Sequence, residues 1–148
     1  MNEPILTWYT QDINKDYVET ETEYAGSYTQ EEPLSIAVRL WNNRYGTKDV
    51  ANIGNLKLNL YFKDAEDAYL LPYLTVATKK SQASLNISGT VATAVFVETM
   101  PLSGKANDGT DRNNPENYID FVITLDVPKD MNLKTHDLKD LFLEVVDD

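Results

Sequence analysis

Ser35-Ile36-Ala37-Val38-Arg39-Leu40-Trp41, followed after a polar connection by Leu56-Lys57-Leu58-Asn59-Leu60-Tyr61-Phe62-Lys63, decides how this chain folds. In the first run Ile36, Val38 and Leu40 alternate with Ala37, Arg39 and Trp41; in the second, Leu56, Leu58, Leu60 and Phe62 alternate with Lys57, Asn59, Tyr61 and Lys63. Period two sends one side-chain set into a core and the other toward solvent or a partner, the signature of a half-buried antiparallel sheet. The two runs read as neighbouring strands. Their connection, Asn42 to Asp49, is rich in residues that tolerate turns and left-handed backbone. Nothing in the pair is catalytic.

Working outward, Ile5 to Tyr9 reads as a first strand, and Tyr17 to Tyr24 as a second, exposed one that Ala25-Gly26-Ser27 breaks. Few large apolar residues lie in residues 1–30, so this segment is either an acidic arm across another subunit or an edge strand; residues 31–148 form the sandwich domain. Beyond Asp64, Tyr69 to Val76 reads as a strand whose Pro72 implies an edge or a bulge. Ser84–Ile87 and Val91–Glu98 form a hairpin around Ser88-Gly89-Thr90. Pro101 to Glu116 is a long loop, of the kind that often serves as a contact surface. Tyr118 to Asp126 alternates again, with Ile119, Phe121, Ile123 and Leu125 on one face, and Leu138 to Val146 supplies the last strand after a helical turn near Thr135. Roughly seven to nine short strands without a long amphipathic helix predict an all-β fold, a two-sheet antiparallel β-sandwich, with a jelly roll or partly closed barrel as the alternative.

The 148 residues carry a formal net charge of −11. Residues 1–32 hold eight acids (Glu3, Asp12, Asp16, Glu19, Glu21, Glu23, Glu31, Glu32) against Lys15, a net of −7, and residues 129–148 hold six acids against three bases, a net of −3. Acidic termini around a balanced centre repel phosphate backbones, which argues against a nucleic-acid partner and for acids that chiefly keep the surface soluble. A domain of this length buries about 70% of its unfolded surface and needs no staples. There is no cysteine, hence no disulfide, thiolate ligand or cysteine nucleophile. Met1-Asn2-Glu3-Pro4 lacks an apolar run and no segment reaches the ~20 apolar residues of a membrane span, so the expectation is a protein made in a cytosol, with no membrane partner.

The chemistry-bearing residues are sparse. His136, the single histidine, sits between Thr135 and Asp137 as a surface residue, and the chain contains no Gly-x-Ser-x-Gly elbow, P-loop or Gly-x-Gly-x-x-Gly. The expectation is no enzyme and no cofactor. Asn107-Asp108-Gly109-Thr110-Asp111 offers oxygens to calcium but departs from EF-hand spacing and reads more readily as a solvated turn. Trp8, Trp41, Tyr45, Tyr69 and Tyr73 could line a sugar platform, although strand aromatics more often pack a core or a sheet face. Asn86-Ile87-Ser88 matches a glycosylation sequon that is meaningful only in a secreted chain. The candidate partner or glycan contacts are therefore Trp41, Tyr45, Tyr73, Asp108 and Asp111.

The runs Ser35 to Asn43 and Val50 to Phe62 resemble the paired strands of immunoglobulin-like β-sandwich modules, in which a strand ending in Trp-Asn is followed by an Asn-Leu-x-Leu strand, here Trp41-Asn42 and Asn55-Leu56-Lys57-Leu58. The whole chain is also similar to the small, acidic, cysteine-free β-sandwich proteins of tailed-bacteriophage virions, among them capsid decoration, tail and baseplate components. That resemblance implies a non-enzymatic virion structural protein, assembled in the host cytoplasm and bound to other virion proteins or to copies of itself. A carbohydrate-binding or adhesive module that takes a host glycan is the alternative. No catalytic or ligand residue carries over.

Overall fold

The computed structural model describes residues 2–11, 16–19, 24–28, 34–128 and 139–147. They form ten strands: β1 (Leu6–Gln11), β2 (Tyr17–Glu19), β3 (Tyr24–Tyr28), β4 (Leu34–Asn42), β5 (Leu56–Phe62), β6 (Leu74–Ala77), β7 (Ser84–Ser88), β8 (Val91–Val95), β9 (Tyr118–Leu125) and β10 (Lys139–Asp147). Two antiparallel five-stranded sheets pack face to face, in the orders β2-β1-β4-β9-β6 and β3-β10-β5-β8-β7. The chain is an all-β two-sheet sandwich.

The two alternating runs are β4 and β5, and they are not neighbours. Each is the middle strand of its own sheet. Alternation fixes which face of a strand is buried but not which strand lies beside it, so apolar sets expected side by side instead face one core from opposite sheets. Val38 and Leu40 enter that core from the first sheet with Phe121 and Ile123 of β9, and Leu56, Leu58 and Leu60 enter from the second. Opposite Leu58 and Leu60 stand Ala94 and Ala92, small residues that leave room for large ones.

Two further expectations change. Residues 65–73 form a 3-10 helix, and only Leu74–Ala77 of the expected strand is extended. The adjacent buried pair Leu70 and Leu71 cannot both face one side of a strand, and Asp67 N–H closes a turn on Asp64 O instead. Ala25-Gly26-Ser27 does not end a strand but lies within β3, whose pairing with β10 shifts register between Leu141 and Phe142, an irregularity that glycine accommodates. Within residues 1–30, read from sequence as an arm or an edge strand, β1 pairs with β4 from Leu6↔Asn42 to Thr10↔Val38 and buries Trp8. The turn expected near Thr135, and His136, lie outside the described residues.

One end of the first sheet is covered by the long connections 43–55 and 101–117, which asparagines hold in place of regular structure. Asn43 takes the left-handed conformation (φ 58°) and donates to Lys48 O and Gly104 O. Asn42 accepts from Ile5 N–H and donates to Ala51 O; Asn117 donates to Asn42 O and Lys105 O. All three are buried. Their amides satisfy loop backbone that neither water nor a strand can reach.

Candidate functional site

The register of β1, β4 and β9 sets Tyr9, Arg39 and Asp120 in a row across the outer face of the first sheet. Arg39 makes a two-pronged contact with Asp120, Nε to Oδ1 at 2.7 Å and Nη2 to Oδ2 at 3.0 Å, while Nη1 reaches Asp111 Oδ2 at 2.6 Å. Its guanidinium lies 4.2 Å from the ring centres of both Tyr17 and Tyr118. Burial works against the charge, but the hydrogen bonds and charges of Asp120 and then Asp111 outweigh it and hold the Arg39 pKa above its ordinary value. The Tyr17 phenol is pushed up, first by burial and then by the Asp120 carboxylate. Arg39 thus fastens the tip of the 101–117 loop to the sheet.

A second arginine works beside it. Arg44 lies 4.8 Å from the rings of Tyr9 and Trp41 and 5.1 Å from that of Tyr45, and its Nε donates to Gly109 O at 3.2 Å. Gly109 has φ +92°, and a Cβ there would collide with the Tyr45 ring. Only glycine lets the loop lie this close.

The expected contact residues separate. Trp41 is fully buried under Arg44, 4.8 Å from the Tyr118 ring, so it belongs to the packing of the covered end and offers no surface platform. Tyr45 is 68% exposed. Tyr73 packs against the core edge beside Asp126, at the opposite end of β9 from the Tyr45 loop, so no coplanar pair forms. Asp108 folds back on its own turn, accepting from Thr110 N–H and Oγ1, contacts that draw its carboxyl below the ordinary range, and from Asn113 Nδ2. Asp111 turns instead to Arg39. The two carboxylates therefore do not converge on a cation, and no group of three or more His, Asp or Glu among the described residues does so.

A concave feature of the surface lies along the flank of the first sheet. There β6, four residues long, is paired with the eight-residue β9 only from Leu74↔Leu125 to Ala77↔Val122. At Thr78 the chain leaves in a turn closed by Thr78 N–H to Ser81 O. Among the described residues, this early exit leaves the strand edge open. Asp126 N–H points to Tyr73 O on the β6 side, so the N–H and C=O of Thr124, Val122 and Asp120 point the same way. Val122 still faces Ala77, whereas Asp120 and the Tyr118 carbonyl face no strand among the described residues; farther along, Glu116 O is taken by Ser103 N–H and Tyr118 N–H by Pro115 O.

Beside this edge opens a cleft of about 730 Å³. Ile119, Ile53, Met100 and Leu102 form its apolar floor, and Lys79, Lys80 and Lys105 line it with Glu98, Glu116 and Asp120. Asp120 is neutralised by Arg39, and Glu98 accepts from Ser81 Oγ at 2.8 Å. The three lysines make no ion pair with a described residue: the ion pairs found there are Arg39's.

Sequence reasoning overlooked Arg39, Arg44 and this flank. The signal for the flank was the mismatch between a long alternating β9 and a partner strand shortened by Pro72 on one side and by the polar Thr78-Lys79-Lys80-Ser81 turn on the other. Compared with known proteins, the chain matches no family model, no curated protein and no solved structure.

Proposed function

We propose that this chain is a non-enzymatic structural protein of a tailed-bacteriophage virion, an immunoglobulin-like sandwich that docks onto other virion subunits through its sheet edges and loops. The observation that supports docking is the flank cleft, where β9 presents unpaired backbone over an apolar floor. Its walls are held by Arg39, which grips Asp120, and by the buried Asn117, which holds Lys105 O, and a pre-organised surface loses less freedom on binding. The virion context rests on the resemblance of the whole acidic, cysteine-free chain to small β-sandwich proteins of such virions, and the immunoglobulin-like one on Ser35 to Asn43 and Val50 to Phe62. In this reading the subunit joins its partners, other virion proteins or further copies of itself, in the host cytoplasm before lysis.

Light scattering of the purified protein, alone across concentration and mixed with phage shells lacking it, tests the proposal. Uptake of a 16.8 kDa monomer at fixed stoichiometry is the result expected of a decoration protein. A discrete ring or trimer formed alone would indicate a tail, baseplate or fibre component. A monomer that ignores shells and tails and binds a glycan would overturn the reading. On that second reading's side stands the exposed Tyr45 ring, and because Trp41 is buried, Tyr45→Ala is the substitution that tests it.

A further inference from the structure

The occupant of the cleft can be specified from its walls, an inference that rests on the docking reading above. We infer that the flank cleft takes a short extended polypeptide segment of a partner protein, alternating acidic and apolar residues, which adds as a strand to the open edge of β9 in line with β6.

Three observations carry it. The first is backbone geometry: the Asp120 N–H and C=O and the Tyr118 C=O point into the space that β6 would fill had it continued, so a strand placed there completes the ladder that stops at Ala77↔Val122. The second is side-chain alternation. A residue opposite Asp120 turns outward, whereas one opposite Ile119 turns inward over Ile53, Met100 and Leu102, so the segment needs an apolar side chain at the inward position between two polar ones. The third is charge. Of the cleft's acids only Asp120 has a cationic partner, Arg39, which leaves Glu98 and Glu116 against Lys79, Lys80 and Lys105, a local excess of one positive charge in a chain whose net charge is −11. Outward positions of the segment are therefore best filled by glutamate or aspartate.

The test uses the whole protein and a fluorescein-labelled heptapeptide of alternating glutamate and valine. Its lysine-valine counterpart and a version N-methylated at alternate amides serve as controls. Fluorescence anisotropy is expected to show the acidic peptide binding at least about tenfold more tightly than either control. Added salt should weaken that binding, and Lys79→Glu with Lys80→Glu should remove the preference for acid. Equal binding of the lysine peptide overturns the acidic occupant, and equal binding of the N-methylated peptide overturns strand addition. The docking reading is separated by Thr99→Trp, which fills the cleft from an exposed position. If no peptide binds yet Thr99→Trp blocks uptake by shells, docking at the cleft stands and the inferred occupant falls; if uptake is unaffected, docking at the cleft falls as well.

Discussion

Asn117 and Arg39 show how single residues set the covered end of the sandwich. Asn117 Nδ2 serves two carbonyls, one of them deeply buried, and an unsatisfied buried carbonyl costs about 1–3 kcal/mol. Asn117→Ala is therefore expected to lose about 2–3 kcal/mol in urea denaturation, far more than an ordinary loop substitution. For Arg39 the two ion pairs differ in weight. Asp111 is half exposed, and such a pair contributes less than about 1 kcal/mol, so Asp111→Ala should barely move the denaturation midpoint. Asp120 is 23% exposed and held by both prongs, so Arg39→Ala, which also removes the stack between Tyr17 and Tyr118, should cost about 2–4 kcal/mol. Arg39→Lys keeps the charge but not the planar fork and should fall between. The raised Tyr17 pKa gives an alkaline signature. Below the ordinary value of 10.0 the phenol is neutral folded and unfolded, and above it the unfolded chain ionises first, so this contribution to stability falls as pH rises through the folded value. Stability measured from pH 8 to 11 should decline less steeply in Tyr17→Phe than in the native chain.

At the scale of elements, the loops over the first sheet are fixed by close contacts. Gly109→Ala would place a Cβ on the Tyr45 ring at φ +92°, and it should lower stability by about 1–3 kcal/mol and release the Arg44 contact, read as quenched or shifted tryptophan emission from Trp41. Substituting the exposed Tyr45 with Leu should leave stability within about 1 kcal/mol. Elements with strict alternation were legible from the sequence: β4, β5, β9 and the β7–β8 hairpin stand where the pattern places them, although β8 ends at Val95, short of the expected Glu98, and Gly89 in their turn has a positive φ (61°). Partnership was not legible, because Ile36 to Leu40 and Leu56 to Phe62 carry the same pattern whether they lie side by side or face to face. Tyr69 to Tyr73 misled because aromatic and β-favouring residues suggested a strand, while Leu70 and Leu71, buried together, obey a tighter turn. The loop asparagines read as turn formers; that they would be buried donors follows only from contacts as distant as Asn117 to Asn42.

For the molecule as a whole, the sandwich joins segments far apart in sequence, and its first strand is part of the assembly. Deleting residues 1–30 removes β1, strips β4 of its partner from Leu6↔Asn42 to Thr10↔Val38 and takes Trp8 from the core. The expected outcome is a chain without near-ultraviolet circular dichroism or a cooperative thermal transition; a folded domain that merely failed to join its partner would contradict this and favour the arm. The open flank is likewise a property of the whole, since it exists only because β6 leaves at Thr78 while β9 continues to Tyr118. Amide hydrogen exchange of the free protein, followed residue by residue by NMR, tests that flank directly. Asp120 should exchange much faster than Ile119 and Phe121, whose amides face β4, and should slow when the acidic heptapeptide is added. An Asp120 amide as protected as its neighbours in the free protein would mean that the edge is already closed, and the docking cleft would be lost with it.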